Sequence, residues 1–174
     1  MNVIRIDRFN FVNGAGLRDV IWCAGCNHHC PGCHNPEAQN PNMGHPWDEH
    51  DLEIIVQDLS NPHIKGLTFS GGEATYPANR EQATAIMRWA KENFPNKDIW
   101  VWTGYDYEEV KDLEMMNYID VLVDGKFVQA LKPEFTHLRY RGSSNQRVID
   151  VKKSKEAGKV VLWEDFDGKT SEKF

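Results

Sequence analysis

Cys23-Ala-Gly-Cys26-Asn-His-His-Cys30-Pro-Gly-Cys33-His-Asn35 contains every cysteine of the chain. Asp19-Val-Ile-Trp22 stands directly before it, an apolar run of strand character, so the cysteine-rich stretch reads as the loop leaving the end of a strand. Within it Cys26, Cys30 and Cys33 form a C-x3-C-x2-C triplet, a spacing that wraps three thiolates around one face of a cube-shaped [4Fe-4S] cluster. Such clusters are normally ligated by thiolate throughout. Three thiolates against four irons leave one iron open, and an open iron is a place to hold a substrate or cofactor.

Other chemistries compete for the same loop. Cys23-x2-Cys26 and Cys30-x2-Cys33 have the look of two zinc knuckles in a metal-binding interaction module, but only three residues separate the pairs, whereas zinc sites usually join well-separated segments. A disulfide framework belongs to short, cysteine-rich secreted chains. Cys23 ends the apolar run and reads as a small buried hydrophobe. His28 and His29 read as packing or hydrogen-bonding residues, because ligation by either would close the open iron.

The chain has 174 residues, enough for one domain, 1–174, that buries roughly 70% of the surface its unfolded form exposes. Twenty basic residues against 26 acidic ones are interspersed without a basic tract, so no nucleic-acid partner is expected. No apolar run approaches the roughly 18 residues of a membrane span, so no membrane partner is expected either. Arg5, Asp7 and Arg8 interrupt the amino terminus, which therefore does not read as a secretory signal, and a cytoplasmic location is the expectation.

Read in order, Met1 to Asp7 roughly alternates apolar and polar residues, and Phe9 to Gly16 ends in a glycine-rich turn before the Asp19–Trp22 strand. Asp51 is the expected cap of a helix with Leu52, Ile55, Val56 and Leu59 on one face, and Gly66–Ser70 reads as a buried strand. Ala83, Ile86, Met87, Ala90 and Phe94 trace a second helical stripe, followed by a strand over Asp98–Thr103. Trp100 and Trp102 share one face of that strand and read as core. Asp106 with Glu109 resembles a capping box for a helix carrying Val110, Leu113 and Met116, ahead of a strand over Asp120–Asp124.

Strands alternating with helices predict a parallel sheet, doubly wound or curved. The polar signatures all follow strands: the cysteine loop, Ser70-Gly71-Gly72-Glu73, Thr103-Gly104-Tyr105 and Asp124-Gly125-Lys126. In parallel barrels the carboxyl ends of the strands carry the site. Since 174 residues fall short of the roughly 250 of a full barrel, the expected fold is α/β, an incomplete parallel β/α barrel. Paired glycines such as Gly71-Gly72 suit close approach of backbone to a ligand, and equally suit an ordinary turn.

Phe11-Val-Asn-Gly-Ala-Gly16, the cysteine loop, Ser70-Gly-Gly-Glu73, Asp98-Ile-Trp-Val-Trp-Thr-Gly-Tyr105 and Gly142-Ser-Ser-Asn-Gln-Arg147 together resemble the radical S-adenosylmethionine superfamily. Within it they are similar to the glycyl-radical-enzyme activases that serve anaerobic ribonucleoside-triphosphate reductase. The Gly142–Arg147 segment, with Val148–Val151 and a late strand Lys159–Trp163, singles out that family. Gly32 departs from many relatives, which carry an aromatic residue before the last cysteine.

This resemblance implies a cluster on Cys26, Cys30 and Cys33 that reductively cleaves S-adenosyl-L-methionine. The resulting 5′-deoxyadenosyl radical would take a hydrogen from a glycine of the large subunit of anaerobic ribonucleotide reductase. It also implies an electron donor such as a flavodoxin-like protein. Activation of another glycyl-radical enzyme would use the same machinery. The cofactor contacts it implies are Gly32, Cys33, His34, Gly71, Gly72, Glu73 and Thr103, with Asp124 and Lys126 behind them. For Asp124 and Lys126, and for Asn145, Gln146 and Arg147, a purely local role in polar turns carries equal weight.

Overall fold

A computed structural model describes residues 1–133 and 139–164. The run Arg18–Cys23, buried at all 6 positions, forms β2 and lies beside β1 (Asn2–Asn10). Beyond the cysteine loop come β3 (His45–Pro46), α1 (Glu49–Leu59), β4 (Gly66–Gly71), α2 (Arg80–Asn93) and β5 (Asp98–Trp102). The single-turn α3 (Tyr107–Val110), β6 (Val121–Asp124), β7 (Arg147–Asp150) and α4 (Val151–Ala157) complete the strands and α-helices of the described residues. One seven-stranded sheet results, in the order β3-β1-β2-β4-β5-β6-β7.

The four central strands β2, β4, β5 and β6 are mutually parallel, as expected of apolar strands joined through helices. The two edges, β3 and β7, do not pair, so the α/β sheet is an incomplete barrel. It is not parallel throughout. β1 runs antiparallel to β2 because the turn after Asn10 brings the chain straight back, whereas a parallel partner would need a crossover of about a dozen residues or more. β7 runs antiparallel to β6, entering beside its end with Arg147 opposite Asp124. Within the expected strand at Lys159–Trp163, Leu162 forms a bridge opposite Ile149, with Trp163 N–H donating to the Val148 carbonyl at 2.9 Å, and Glu164 is a further bridge position at the end of the described residues.

The two-residue strand period sorts the side chains into two layers. Ile21, Cys23, Leu67, Phe69, Ile99, Val101 and Leu122 share the face covered by the helices, where Ile55, Leu59, Ala83, Met87 and Ala90 pack with them. The inner face carries Trp100, Val121, Val123 and Val148, with Trp102, Tyr140 and Trp163 against them. Fully buried Arg18 pins the starts of three parallel strands: it donates to Thr68 Oγ1 at 2.7 Å, the Leu67 carbonyl at 2.8 Å and Asp98 Oδ1 at 2.6 Å.

Two helices differ from expectation. Asp48, not Asp51, caps α1: its carboxylate accepts the N–H groups of His50 and Asp51 at 2.9 and 3.1 Å. Asp51 reaches back to the Asp48 N–H at 3.3 Å, completing a capping box. Val56 faces solvent, and Asp58 takes the buried position because Arg8 of β1 meets it there through two bonds of 2.5 Å. The helix expected to carry Val110, Leu113 and Met116 ends after one turn, since Leu113 is extended and begins a separate 3-10 turn over Glu114–Asn117.

Candidate active site

Parallel register places the carboxyl ends of the central strands side by side: Cys23 is opposite Gly71, and Trp102 opposite Val123. The loops that follow therefore emerge together around a cavity of about 640 Å³. Cys26, Cys30, Cys33 and His34 line one side, Ser70 to Glu73 the floor, and Thr103, Gly104 and Gly125 the next two loops.

The cysteine loop is built on its own backbone. Gly25 and Cys26 N–H donate to the carbonyls of Ala38 and Gln39 at 2.8 and 3.3 Å, so the chain returns beside its own start through the 3-10 turn Pro36–Gln39. Between these anchors Cys33 N–H closes on the Cys30 carbonyl at 3.1 Å, with Gly32 at φ +72° supplying the left-handed turn. A side chain at Gly32 would also meet the end of the exposed Gln129 side chain, which would have to move aside. His29 is left-handed as well, at φ +48°, and its Nδ1 lies 2.8 Å from Gln39 Oε1.

Cys23 and the triplet have different surroundings. Cys23 sits fully buried in the helix-side core, where burial and then the nearby Glu73 charge push its thiol up to about 12. Cys26, Cys30 and Cys33 are half-buried free thiols on the cavity wall. Burial first, and Glu73 after it, push the Cys26 thiol up to about 11 against the pull of the His28 backbone, so a metal binding there displaces a proton.

Among the described residues the one three-ligand group whose donor atoms lie within 4.8 Å of one another is His45, Asp48 and Asp51, on β3 and at the start of α1 and outside this cavity.

At the floor, Gly71 has φ +99° and Gly72 is enclosed by carbonyl oxygens. A Cβ at Gly72 would lie 2.7 Å from the oxygens of both Ala38 and Gly25 and 3.0 Å from that of Cys23, so only glycine lets this segment pass. Glu73 is 1% exposed. Its Oε1 accepts from the N–H and hydroxyl of Thr75 at 3.0 and 2.6 Å, and its Oε2 from Gly104 N–H at 2.8 Å and His28 Nε2 at 3.0 Å. Thr103 joins this network, its hydroxyl 3.0 Å from that of Thr75.

Asp124 and Lys126 are not brought into the cavity wall. Asp124 is buried and its carboxylate is taken by Arg147, at 2.5 Å from Nη2, and by the Tyr107 N–H at 2.8 Å. Lys126 is exposed, and its carbonyl accepts from the Asn145 side chain at 2.8 Å. Gln146 lines the cavity while bridging loops, donating to the Gly125 carbonyl at 2.9 Å and accepting from Gly142 and Ser143 N–H at 2.8 and 3.1 Å. The Gly142–Arg147 segment therefore fastens the end of β6. Trp102, Phe127, Arg139, Tyr140 and Arg141 complete the wall. Sequence reading placed Trp102 in the core; it is half-buried because its strand end opens on the cavity, with Nε1 held by the Tyr140 carbonyl at 2.9 Å.

Residues 12–149 match the family described as a 4Fe-4S single cluster domain. The anaerobic ribonucleoside-triphosphate reductase-activating protein of Enterobacteria phage T4 is 43% identical over 168 residues, which cover 97% of this chain and 97% of the relative. That of Escherichia coli strain K12 is 40% identical over 152 residues, covering 85% and 97%. That of Salmonella typhi is 41% identical over 143 residues, covering 80% and 92%. The chain belongs to this family of reductase-activating proteins. A 4Fe-4S domain needs thiolate ligands, and three free cysteine thiols lining one cavity fit that group. Among the described residues no helix is long and apolar enough to cross a membrane.

Proposed function

We propose that this chain is a radical S-adenosylmethionine activase that generates a glycyl radical on the large subunit of anaerobic ribonucleotide reductase. The observation that carries the reading is the cavity itself, where Cys26, Cys30 and Cys33 face Gly71, Gly72 and Glu73. The cofactors are a [4Fe-4S] cluster and S-adenosyl-L-methionine. When bound and reduced, the cluster supplies the electron that cleaves S-adenosyl-L-methionine to methionine and a 5′-deoxyadenosyl radical, which takes a hydrogen atom from the partner's glycine.

The chain's own residues bind and orient. Cys26, Cys30 and Cys33 hold the cluster; the backbone of Gly32, Cys33, His34, Gly71 and Gly72 approaches the cofactor, with Thr103 beside it. Glu73 braces the loops that form the wall, and Asp124 and Lys126 contribute from behind through the end of β6. The whole chain, 1–174, acts as one domain, a reading supported by the single sheet that joins all seven strands of the described residues. A low-potential flavodoxin-like protein supplies the electron, and the cytoplasm is where such partners meet.

The test is anaerobic reconstitution with iron and sulfide, followed by electron paramagnetic resonance of the reduced protein. About four irons per chain and a spectrum that changes on adding S-adenosyl-L-methionine are expected. A colourless zinc protein indifferent to S-adenosyl-L-methionine would overturn the reading.

A further inference from the structure

Three loops meet at one carboxylate. His28 lies between Cys26 and Cys30, and its ring reaches across to Glu73 with Nε2 3.0 Å from Oε2. The same oxygen accepts the Gly104 N–H at 2.8 Å, so the cysteine loop and the β5 loop share an acceptor. The ring rests where a side chain at position 104 would be: a Cβ on Gly104 would lie 2.5 Å from His28 Cδ2. Tyr105 stands edge-on to the ring at 4.5 Å, and its hydroxyl is 3.1 Å from the Asn27 amide nitrogen. On its other flank the cysteine loop is held by the Gln39 carbonyl and side chain.

The contacts also settle what Glu73 has left to give. A carboxylate offers about four lone-pair sites. Thr75 fills two through its N–H and hydroxyl, and Gly104 N–H and His28 Nε2 fill the other two. A ligand ammonium could bind this carboxylate only by breaking one of these bonds, each inside a nearly fully buried site.

We infer that Glu73 is a positioning residue whose partner is His28: together they lock the cysteine loop onto the strand-end loops, so that the cluster faces S-adenosyl-L-methionine in one geometry. The inference rests on the proposed function for its ligands, and on the hydrogen bonds at Glu73 for its geometry. Gly104 is glycine because the His28 ring occupies the space beside it. Gly71 and Gly72 then meet the cofactor through their backbone while Glu73 looks inward.

The experiment compares His28→Ala, His28→Gln, Glu73→Gln and the double variant His28→Ala/Glu73→Gln with the parent protein. In cluster-free protein, amide hydrogen exchange across residues 26–30 should accelerate in His28→Ala and Glu73→Gln and return toward the parent rate in His28→Gln, whose amide can again donate to Glu73. In reconstituted protein, His28→Ala should keep its iron yet bind S-adenosyl-L-methionine about tenfold more weakly by calorimetry. The double variant should be no worse than the weaker single one, because each single change already removes the His28–Glu73 contact.

Additive losses in the double variant would overturn the coupling, as would unchanged exchange and affinity in His28→Ala. Loss of iron in His28→Ala that His28→Gln does not repair would make His28 a ligand and overturn it as well. A parent protein whose spectrum ignores S-adenosyl-L-methionine would sink the proposed function instead, while the exchange comparison would still decide the lock.

Discussion

Each cysteine of this chain has a part set by where its strand ends. Cys23 is the last residue of β2 and points into the helix-side core; three residues later the chain has left the sheet and Cys26 faces the cavity. Replacing Cys26, Cys30 or Cys33 by Ala should therefore abolish a stable four-iron cluster. Cys23→Ala should retain it and cost about 1 to 2 kcal/mol of stability, the price of one small buried group and the space it leaves. Iron counts after reconstitution decide the matter, and equal iron loss in Cys23→Ala would point to a four-thiolate site.

Asp19 makes a second prediction at this scale. Its Oδ1 accepts the Phe9 N–H at 3.0 Å, while its buried Oδ2 has no hydrogen-bond partner within bonding distance among the described residues. Burial first, with Asp58 close by, pushes its carboxyl from an ordinary 3.8 up to about 7. The folded chain then keeps a proton that the unfolded chain sheds, so this group's contribution is fully present below the ordinary value and is lost as pH rises through about 7. Asp58 works in the opposite sense, since the Arg8 guanidinium holds its carboxyl below the usual range and its contribution is lost as pH falls. Asp19→Asn should flatten the decline of the melting temperature between about pH 4 and about pH 7. Parallel melting curves for parent and variant would assign that decline to another group.

At the scale of elements, polar side chains stop and fasten what the apolar pattern starts. The pattern alone moves the start of α1 to Asp51, because the first apolar residue of the stripe is Leu52. The true cap, Asp48, is recognised only by the two N–H groups its carboxylate receives. Asp48→Ala should lower stability by about 1 kcal/mol, read as a shift of the denaturation midpoint with unchanged slope. The end of β6 is fastened by a stronger device. Arg147, one-third exposed, holds the buried Asp124 and also pairs with Glu108 at 2.9 Å. Arg147→Ala strands the Asp124 carboxylate and should cost about 3 kcal/mol, toward the low end of a broken buried pair because Arg147 reaches solvent. An Arg147→Ala/Asp124→Ala protein should recover part of that loss; a further drop equal to the sum of the single changes would show the pair to be uncoupled.

At the scale of the whole molecule, the size of the cavity bears on the proposed transfer of the radical. The cavity of about 640 Å³ is shared by three thiols and the strand-end loops, which leaves little protein to enclose a separate small-molecule substrate. A partner polypeptide is the natural closure. Isolated protein, even when reduced, should turn over S-adenosyl-L-methionine poorly. Mixed anaerobically with the large reductase subunit and a reductant, it should yield a glycyl doublet in the resonance spectrum together with methionine and 5′-deoxyadenosine. Persistence of that doublet when the partner's radical-site glycine is replaced by alanine, or when this protein is omitted, would refute the assignment.

The α/β alternation, the triplet and the glycine pair were legible in the sequence because each is a local matter: strand and helix periods are written in consecutive residues, and C-x3-C-x2-C needs only one loop. The antiparallel edges were not, since pairing direction depends on how a connection travels and not on the composition of the strand it reaches. Nor was the employment of polar side chains. Glu73 reads equally well as a ligand contact or a turn residue until His28, 45 positions earlier, and Gly104, 31 positions later, are brought to its carboxylate. Asp124 likewise waits for Arg147, 23 positions on. A hydrogen bond is decided within about 3 Å, and distances of that kind between residues far apart in the chain exist only after the sheet has set its register.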